Sequence, residues 1–171
     1  VSCSFEGGSR YGVIGPSGRG KSTLLALLAG LDLPTSGEIL VEGNALSSMD
    51  RDCYRRETAS VVYQSFNLFP LLTALENVMY PLELLGVKKL DAEASAKRLI
   101  HDVGLEDKIF RQFPVMMSGG EQQRVSIARA LAAGGRILLA DEPTGNLDST
   151  NEETIVKILK ELAHERGYLV I

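Results

Sequence analysis

The sequence is poor in features that would indicate a membrane span, a disulfide framework or a nucleic-acid partner. No apolar stretch approaches the ~20 residues needed to cross a bilayer, and the N-terminus lacks the charged and apolar regions of a signal peptide. Cys3 and Cys53 form no C-x-x-C pair, and His101 and His164 are not spaced as ligands beside them. The net charge is −4 and no basic run stands out, which argues against binding to a phosphate backbone. We therefore expect a cytoplasmic chain without a cysteine and histidine metal cluster and without nucleic acid.

The composition fits one domain with a sizeable core. The chain has 171 residues, of which 44% are hydrophobic, and this is enough for one such domain but too little for two ordinary ones. It begins at Val1 rather than at a Met, and it stops at Ile171 inside an apolar run. The sequence predicts a single domain over 1–171, which we expect to be incomplete at both ends.

Short apolar runs alternate with helical segments along the chain. The strand-like runs cover residues 11–14, 60–63, 137–140 and 168–171. Runs that are apolar throughout are typical of strands covered on both faces. Residues 38–41, followed by turn residues 42–44, indicate a small antiparallel piece beside the main sheet. We predict an α/β fold with a mainly parallel sheet and helices on both faces.

The region between residues 66 and 117 has a helical pattern. It predicts one helix over 74–85, with Pro81 as a kink, and a second over 91–103 that Gly104 ends. Leu99, Ile100 and Val103 keep helical spacing, so we expect them in the core. The pattern predicts a helical subdomain at 66–117 within the α/β domain.

A glycine-rich loop with the spacing G-x-x-x-x-G-K-[ST] lies between an apolar run and a leucine-rich helix. Its glycines let backbone N–H groups turn inward at a helix N-terminus, where the partial positive charge favours phosphate. Lys21 adds a mobile cation for the outer phosphates, and Ser22 offers a hydroxyl to Mg²⁺. The alternative is a chance glycine-rich turn. The predicted cradle consists of Gly15, Pro16, Ser17, Gly18, Arg19, Gly20, Lys21, Ser22 and Thr23.

A second candidate site begins at Ser118. Ser118 and Glu121 have the spacing of a capping box, which predicts a helix from the serine through about residue 133. Gly119 and Gly120 in its first turn each cost roughly 0.8 to 1 kcal/mol relative to alanine. That cost indicates close backbone approach to a ligand, and phosphate is the natural candidate at a helix N-terminus. The alternative is an ordinary capped helix.

A third candidate site follows the apolar run 137–140. A strand that ends in two carboxylates places Asp141 at the edge of the sheet where α/β proteins bind ligands. Asp141 can hold Mg²⁺ directly or through water, and Glu142 can serve as the base that orients an attacking water. The alternative is a solvated strand end.

Together these residues resemble the ATP-binding-cassette family of ATPases over nearly the whole chain. The match runs from a Walker A loop at 15–23 through a Q-loop at Gln64, the family signature at 118–122, a Walker B strand ending in Asp141 and Glu142, and a D-loop at 146–148. The resemblance implies a P-loop NTPase of RecA-like architecture and a head-to-tail dimer, formed with a second copy of this chain or with a second cassette, that holds two ATP molecules at its interface.

The same resemblance implies roles for particular residues. Each ATP is held by Walker A of one subunit and by the signature residues of the other. Lys21, Gln64 and Glu142 are implied in catalysis, and Ser22, Gln64 and Asp141 in binding Mg²⁺. The implied nucleotide contacts outside the cradle are Ser118, Gly119, Gly120, Gln122 and Asp148.

A narrower resemblance comes from residues 65–70, 73–78 and 143–149. They look like the subgroup that contains the lipoprotein-releasing and macrolide-export ATPases, the antimicrobial-peptide transporters and the ATPase associated with bacterial cell division. This implies a cytoplasmic subunit on the inner face of the membrane, docked on an integral membrane permease. Phe66, Leu68 and Phe69 either line an apolar groove for a helix of that permease or pack inside the helical region.

Departures from the family pattern lie near the ends of the chain. The aromatic residue that stacks on adenine normally comes well before Walker A, and only fourteen residues precede Gly15. Tyr11 is expected in the core instead. The histidine that contacts the γ-phosphate is expected beyond Ile171, with His164 on the surface. Arg19 stands where a small residue is usual, and we expect it to point outward. From these departures we expect weak ATP binding and impaired turnover by residues 1–171 alone.

Three functions compete at this stage. The first is an ATPase that energises a membrane transporter by dimer closure, in bacterial export or in lipoprotein or peptide release. The second is an ATPase that regulates cell-division or cell-wall machinery through a membrane partner without moving a substrate. The third is a DNA-repair relative, which the short segment between Gln64 and Ser118 argues against because it lacks sustained heptads. Ribosome-binding relatives carry two cassettes, and only one is present here.

Overall fold

The computed structural model describes residues 2–16 and 18–171. Its helices are α1 (Lys21–Leu28), α2 (Arg51–Glu57), α3 (Ala74–Leu84), α4 (Lys89–Asp102), α5 (Gly119–Ala132) and α6 (Ser149–His164). Its strands are β1 (Leu40–Val41), β2 (Asn44–Ala45), β3 (Ala59–Tyr63), β4 (Ile137–Asp141) and β5 (Leu169–Val170). Short 3-10 turns cover Leu46–Ser48, Asp107–Ile109 and Pro114–Met116.

The main sheet is parallel, with the order β3-β4-β5. β3 and β4 pair in register from Ala59 opposite Ile137 to Tyr63 opposite Asp141. The carboxyl ends of both strands therefore meet at one edge of the sheet. This confirms the predicted strands at 60–63, 137–140 and 168–171, and it brings the residues after β3 next to those after β4.

The prediction of a strand at 11–14 is wrong. The backbone N–H of Tyr11 donates to the Val170 carbonyl at 2.8 Å, and Arg10 forms a single parallel bridge with Val170. Beyond Tyr11 the segment is irregular, and Ile14 is 97% exposed. Apolar sequence alone does not make a strand, because the described part of the chain offers residues 12–14 no neighbouring strand to bond.

The small antiparallel sheet is confirmed, although its first strand is shorter than predicted. Leu40 pairs with Ala45 and Val41 with Asn44. The two turn residues, Glu42 and Gly43, have φ values of 49° and 82°. Two consecutive positive φ angles are typical of the tight hairpin turn that matches strand twist.

Helices cover both faces of the sheet, as predicted. Leu138 belongs to a large core with α3, α4, α5 and α6, whereas its neighbour Leu139 packs against Leu25 of α1 and against Ala29, which follows that helix. Ile100 and Val103 are buried in the large core. α3 continues past Pro81 to Leu84, and a separate boundary for the subdomain 66–117 stays a prediction. Within residues 2–16 and 18–171, no helix has both the length and the apolarity that a membrane crossing requires.

Candidate nucleotide-binding site

The predicted cradle wraps the start of α1. Gly20 occupies the N-cap position with φ 88°, and Gly18 has φ 74°, conformations that glycine adopts without steric cost. Because Gly20 carries no side chain, the N-cap residue makes no side-chain bond to the first N–H groups of α1. The loop is exposed, including Arg19 as expected, and Ser17 lies outside the described residues. A helix N-terminus of this kind favours an anion.

Lys21 lies across this loop. Its ammonium donates to the carbonyl oxygens of Gly15 at 3.0 Å and Pro16 at 3.3 Å. These bonds hold the cation on the inner side of the loop, within reach of a group seated at the start of α1. The arrangement fits the predicted role of Lys21 as the cation for the outer phosphates.

Ser22 and Asp141 come together although they are 119 residues apart in sequence. The Ser22 hydroxyl donates to Oδ1 of Asp141 at 3.2 Å, which joins the phosphate loop to the end of β4. Hydroxyl and carboxylate oxygens are the ligands that Mg²⁺ prefers, so these two residues fit that ion. The described residues contain no group of three or more histidine, cysteine or acidic side chains arranged for a metal.

Gln64 follows β3 and lies beside the loop after β4. Its amide donates to Oδ1 of Asn146 at 3.2 Å, and the Asn146 amide donates to the Gln64 carbonyl at 3.2 Å. A β-carbon on Gly145 would lie 2.6 Å from Nε2 of Gln64, so a larger residue there would displace the end of this side chain. The structure thus places Gln64 against the D-loop, and its predicted contact with Mg²⁺ stays a prediction.

Glu142 has an unusual backbone. Its φ of 46° lies in the left-handed region, and Pro143 follows it, a combination that most residues avoid. Its carbonyl accepts the Gly145 N–H at 3.0 Å, and its side chain is exposed. Strained residues of this kind cluster at functional sites.

The capping box at the start of α5 is confirmed. The Ser118 N–H donates to Oε2 of Glu121 at 2.8 Å, and the Glu121 N–H donates to the Ser118 hydroxyl at 3.3 Å. The bond from the Ser118 N–H lowers the pKa of the Glu121 carboxyl below its ordinary value. The Gln122 amide, in turn, donates to the Met117 carbonyl at 3.1 Å.

The two signature glycines have different surroundings. Gly120 is buried, and a β-carbon there would overlap Oδ1 and Cγ of Asn151 on α6. A β-carbon on Gly119 would make only ordinary contacts, the nearest with Leu147 at 3.5 Å. Packing between α5 and α6 thus requires glycine at 120 whether or not phosphate approaches. Asp148 caps α6 through the N–H and the amide of Asn151, and the N–H bond lowers the pKa of Asp148.

Of the three apolar residues predicted either to line a groove for a permease helix or to pack inside the helical region, some are buried and one is exposed. Leu68 packs against the large core. Phe69 is 42% exposed and meets Tyr80 edge to face at a centroid distance of 4.9 Å. Phe66 is half-buried, and its ring lies 3.6 Å from where a β-carbon on Gly119 would be. Only Phe69 of the three offers substantial apolar surface.

Sequence reasoning missed three polar residues that shape these loops. Arg129 donates to the carbonyls of Asn67 at 2.7 Å and Phe66 at 3.2 Å, two consecutive left-handed residues. Burial lowers the pKa of Arg129. Buried Asn77 bonds the backbone of Phe69 in both directions. The third residue, Gln123, lies in the apolar stripe of α5 and is fully buried. A glutamine among apolar residues of a helix was the sequence signal that could have indicated a buried hydrogen-bond partner.

The predicted surface residue His164 is exposed, in agreement with the sequence. Tyr11 is half-buried and packs edge to face on Phe5, while its hydroxyl accepts the Glu6 N–H at 3.0 Å. A glycine-rich loop at a helix N-terminus, bonded to a carboxylate at the end of a parallel strand, defines a P-loop nucleoside triphosphatase.

Comparisons with known proteins narrow this class. Residues 1–145 match the family model for ABC transporters. The chain is 42% identical to the uncharacterized ABC transporter ATP-binding protein YclH of Bacillus subtilis, over 100% of this chain and 76% of YclH. It is 44% identical to the lipoprotein-releasing system ATP-binding protein LolD of Syntrophotalea carbinolica, over 98% of this chain and 74% of LolD.

A solved structure agrees in fold. The ATP-binding cassette MJ0796, in a dimeric post-hydrolysis state bound to ADP and Pi, matches with a TM-score of 0.87 and 39% identity, over 98% of this chain and 75% of that chain. The chain belongs to the ABC transporter family, and it is an ATPase domain of that family.

Proposed function

We propose that this chain is the cytoplasmic subunit that binds and hydrolyses Mg-ATP to energise a membrane transporter. The observation that carries the proposal is the hydrogen bond between Ser22 and Asp141, which places a hydroxyl and a carboxylate together at the open start of α1. A triphosphate seated there receives the N–H groups of the loop and the ammonium of Lys21.

The hydrolytic step uses groups on the loops after β3 and β4. Ser22, Asp141 and Gln64 would hold Mg²⁺, which when bound neutralises charge on the β- and γ-phosphates. Glu142 accepts a hydrogen bond from a water and turns its oxygen toward the γ-phosphorus in line with the leaving ADP. The new bond forms between that oxygen and phosphorus, the bond from phosphorus to the bridging β-phosphate oxygen breaks with its electron pair leaving on ADP, and the proton lost by the water passes by way of the Glu142 carboxylate to the phosphate. ADP and phosphate are the products.

The signature residues act on the ATP of a second copy in a head-to-tail dimer. Ser118 is exposed at the start of α5, where it can meet a partner's phosphate. The dimeric, product-bound state of MJ0796 supports this assembly, since that cassette shares 39% identity and a TM-score of 0.87 with this chain. In this proposal Gly119, Gly120, Gln122 and Asp148 line the same interface.

The membrane partner docks beside the Q-loop. Four exposed apolar side chains lie on the segment after Gln64 and on α3: Phe69, Leu71, Tyr80 and Leu84. Scattered apolar residues are common on surfaces, but Phe69 and Tyr80 are in contact, and exposed apolar side chains of this kind suit an apolar helix of a permease. The similarity to LolD supports release of lipoproteins, or export, as the work done. Isolating the membrane protein that binds this surface would identify the transported class.

Two substitutions test the ATPase assignment in the full-length protein. Lys21→Ala should weaken Mg-ATP binding, because it removes the cation of the cradle. Glu142→Gln should keep ATP binding, stop phosphate release and accumulate an ATP-bound dimer, because the amide keeps the shape but loses the basic oxygen. Glu153→Gln, an exposed carboxylate on α6, is the matched control. Parent-like binding by Lys21→Ala, or parent-like turnover by Glu142→Gln, would contradict the proposal.

A further inference from the structure

Gln123 lies fully buried in α5 and reaches both catalytic loops with one amide. Its Nε2 donates to the carbonyl of Pro143 at 2.7 Å and to that of Tyr63 at 3.4 Å. Both partners are carbonyl oxygens, so only the NH₂ group of the side chain can satisfy them. One rigid group in the signature helix thus spans the ends of β3 and β4.

The two carbonyls belong to the immediate neighbours of the proposed reacting residues. Tyr63 precedes Gln64, and Pro143 follows Glu142. Resting on the function proposed above, we propose that Gln123 is a positioning residue that fixes Gln64 and Glu142 relative to each other.

The backbone of Glu142 shows why such a contact is needed. Its left-handed φ of 46° before a proline is a sparsely populated state, which persists only where neighbouring groups hold it. The Gly145 N–H holds the Glu142 carbonyl on one side of the turn, and Gln123 holds the Pro143 carbonyl on the other. Loss of the second contact would let Glu142 relax and move its carboxylate away from the attacking water.

The rest of the Gln123 side chain argues against a purely structural role. Among the residues that the structure describes, its Oε1 is buried with no hydrogen-bond partner, and the same holds for the Ser126 hydroxyl on the next turn of α5. An unpartnered polar atom in an apolar layer lowers stability, so it calls for another explanation. A leucine of similar volume would remove this unpartnered oxygen but would also leave the Pro143 carbonyl without its Gln123 donor, so the two effects on stability oppose each other. Activity and stability should therefore respond differently to the substitution.

The test compares Gln123→Leu with the matched control Ser126→Ala in the full-length protein. Steady-state phosphate release gives kcat and KM for ATP, and thermal unfolding gives Tm. For Gln123→Leu we expect kcat to fall by about ten- to a hundredfold, as a small misplacement of reacting groups does, while KM and Tm stay close to the parent values. Ser126→Ala should keep the parent kcat.

Three outcomes would overturn the proposal. They are a parent-like kcat for Gln123→Leu, a loss of kcat that Ser126→Ala shares, or a fall in Tm that accounts for the lost activity. If Gln123→Leu does not fold, Gln123→Met supplies the same measurement with a more adaptable side chain. Glu142→Gln keeps the two proposals apart: if it is inactive while Gln123→Leu is fully active, the ATPase assignment stands and the positioning role fails.

Discussion

Gly120→Ala tests why glycine opens the signature helix. The new β-carbon would overlap Asn151, and moving Asn151 would also break its 2.8 Å bond to Asp148. Overpacking costs about 1 to 3 kcal/mol and a lost hydrogen bond about 1 kcal/mol, against a gain of about 1 kcal/mol in helix propensity. We expect the free energy of unfolding to fall by roughly 1 to 3 kcal/mol. Gly119→Ala, whose β-carbon makes ordinary contacts, should be neutral or stabilising.

Urea unfolding followed by circular dichroism measures these changes. In an Asn151→Ala background the obstructing atoms are gone, so Gly120→Ala should then be neutral or stabilising. An equal loss in both backgrounds would refute crowding by Asn151 as the reason for the glycine. The double variant also separates crowding by Asn151 from the approach of a partner's phosphate. If this variant is stable but forms no ATP-dependent dimer, then close approach of the partner's nucleotide requires glycine as well.

Three further predictions concern α5 and its neighbours. Ser118→Arg should bind Mg-ATP as a monomer but form no dimer on size exclusion, and ATP-dependent dimers of this variant would contradict a role in trans. Arg129→Lys keeps the positive charge but lacks the planar guanidinium that bonds two carbonyls at once. Hydrogen exchange of the backbone amides at residues 64–69 should therefore accelerate, while the affinity for ATP stays at the parent value. Exchange at the parent rate would show that the Arg129 contacts do not restrain this segment. The pKa of the Glu121 carboxyl is lowered below its ordinary value of 4.5 because the Ser118 N–H donates to the carboxylate. The ionised Glu121 therefore stabilises the fold above pH 4.5, and this stabilisation is lost as the pH falls through the pKa of the folded state. Exchange protection at the start of α5 should fall in that range, and Glu121→Gln should not show this pH dependence.

Features set by local sequence were predictable. The start of α5 needs only Ser118 and Glu121 at the spacing of a capping box, and the structure has that box. β4 is apolar from Ile137 to Ala140, which indicates a strand covered on both faces, and it lies between β3 and β5 in the sheet. Asp141 was expected near the phosphate loop because parallel strands place their carboxyl ends at one edge, and the bond to Ser22 agrees.

Features set by distant partners were not predictable. Gln123 bonds a carbonyl 60 residues away, and Arg129 bonds one 62 residues away. No local spacing encodes such pairs, although a glutamine in an apolar helical stripe signals that some partner exists. The wrong prediction of a strand at 11–14 also reflects a distant partner, because a strand depends on a neighbouring strand as much as on its own apolar residues.

The pairing of β3 with β4 also decides which changes of length the protein tolerates. Tyr63 lies opposite Asp141 because the two strands are bonded residue by residue from Ala59 onward. One inserted residue within β3 would shift Gln64 by about 3.3 Å and turn it to the opposite face of the sheet. The connection through α3 and α4 carries no such restriction on its length, since strand pairing rather than the length of the connection sets the distance between the ends of β3 and β4. Under the function proposed above, this helical connection can therefore change in length, and with it the surface offered to a membrane partner, while the spacing of the ATP site stays constant.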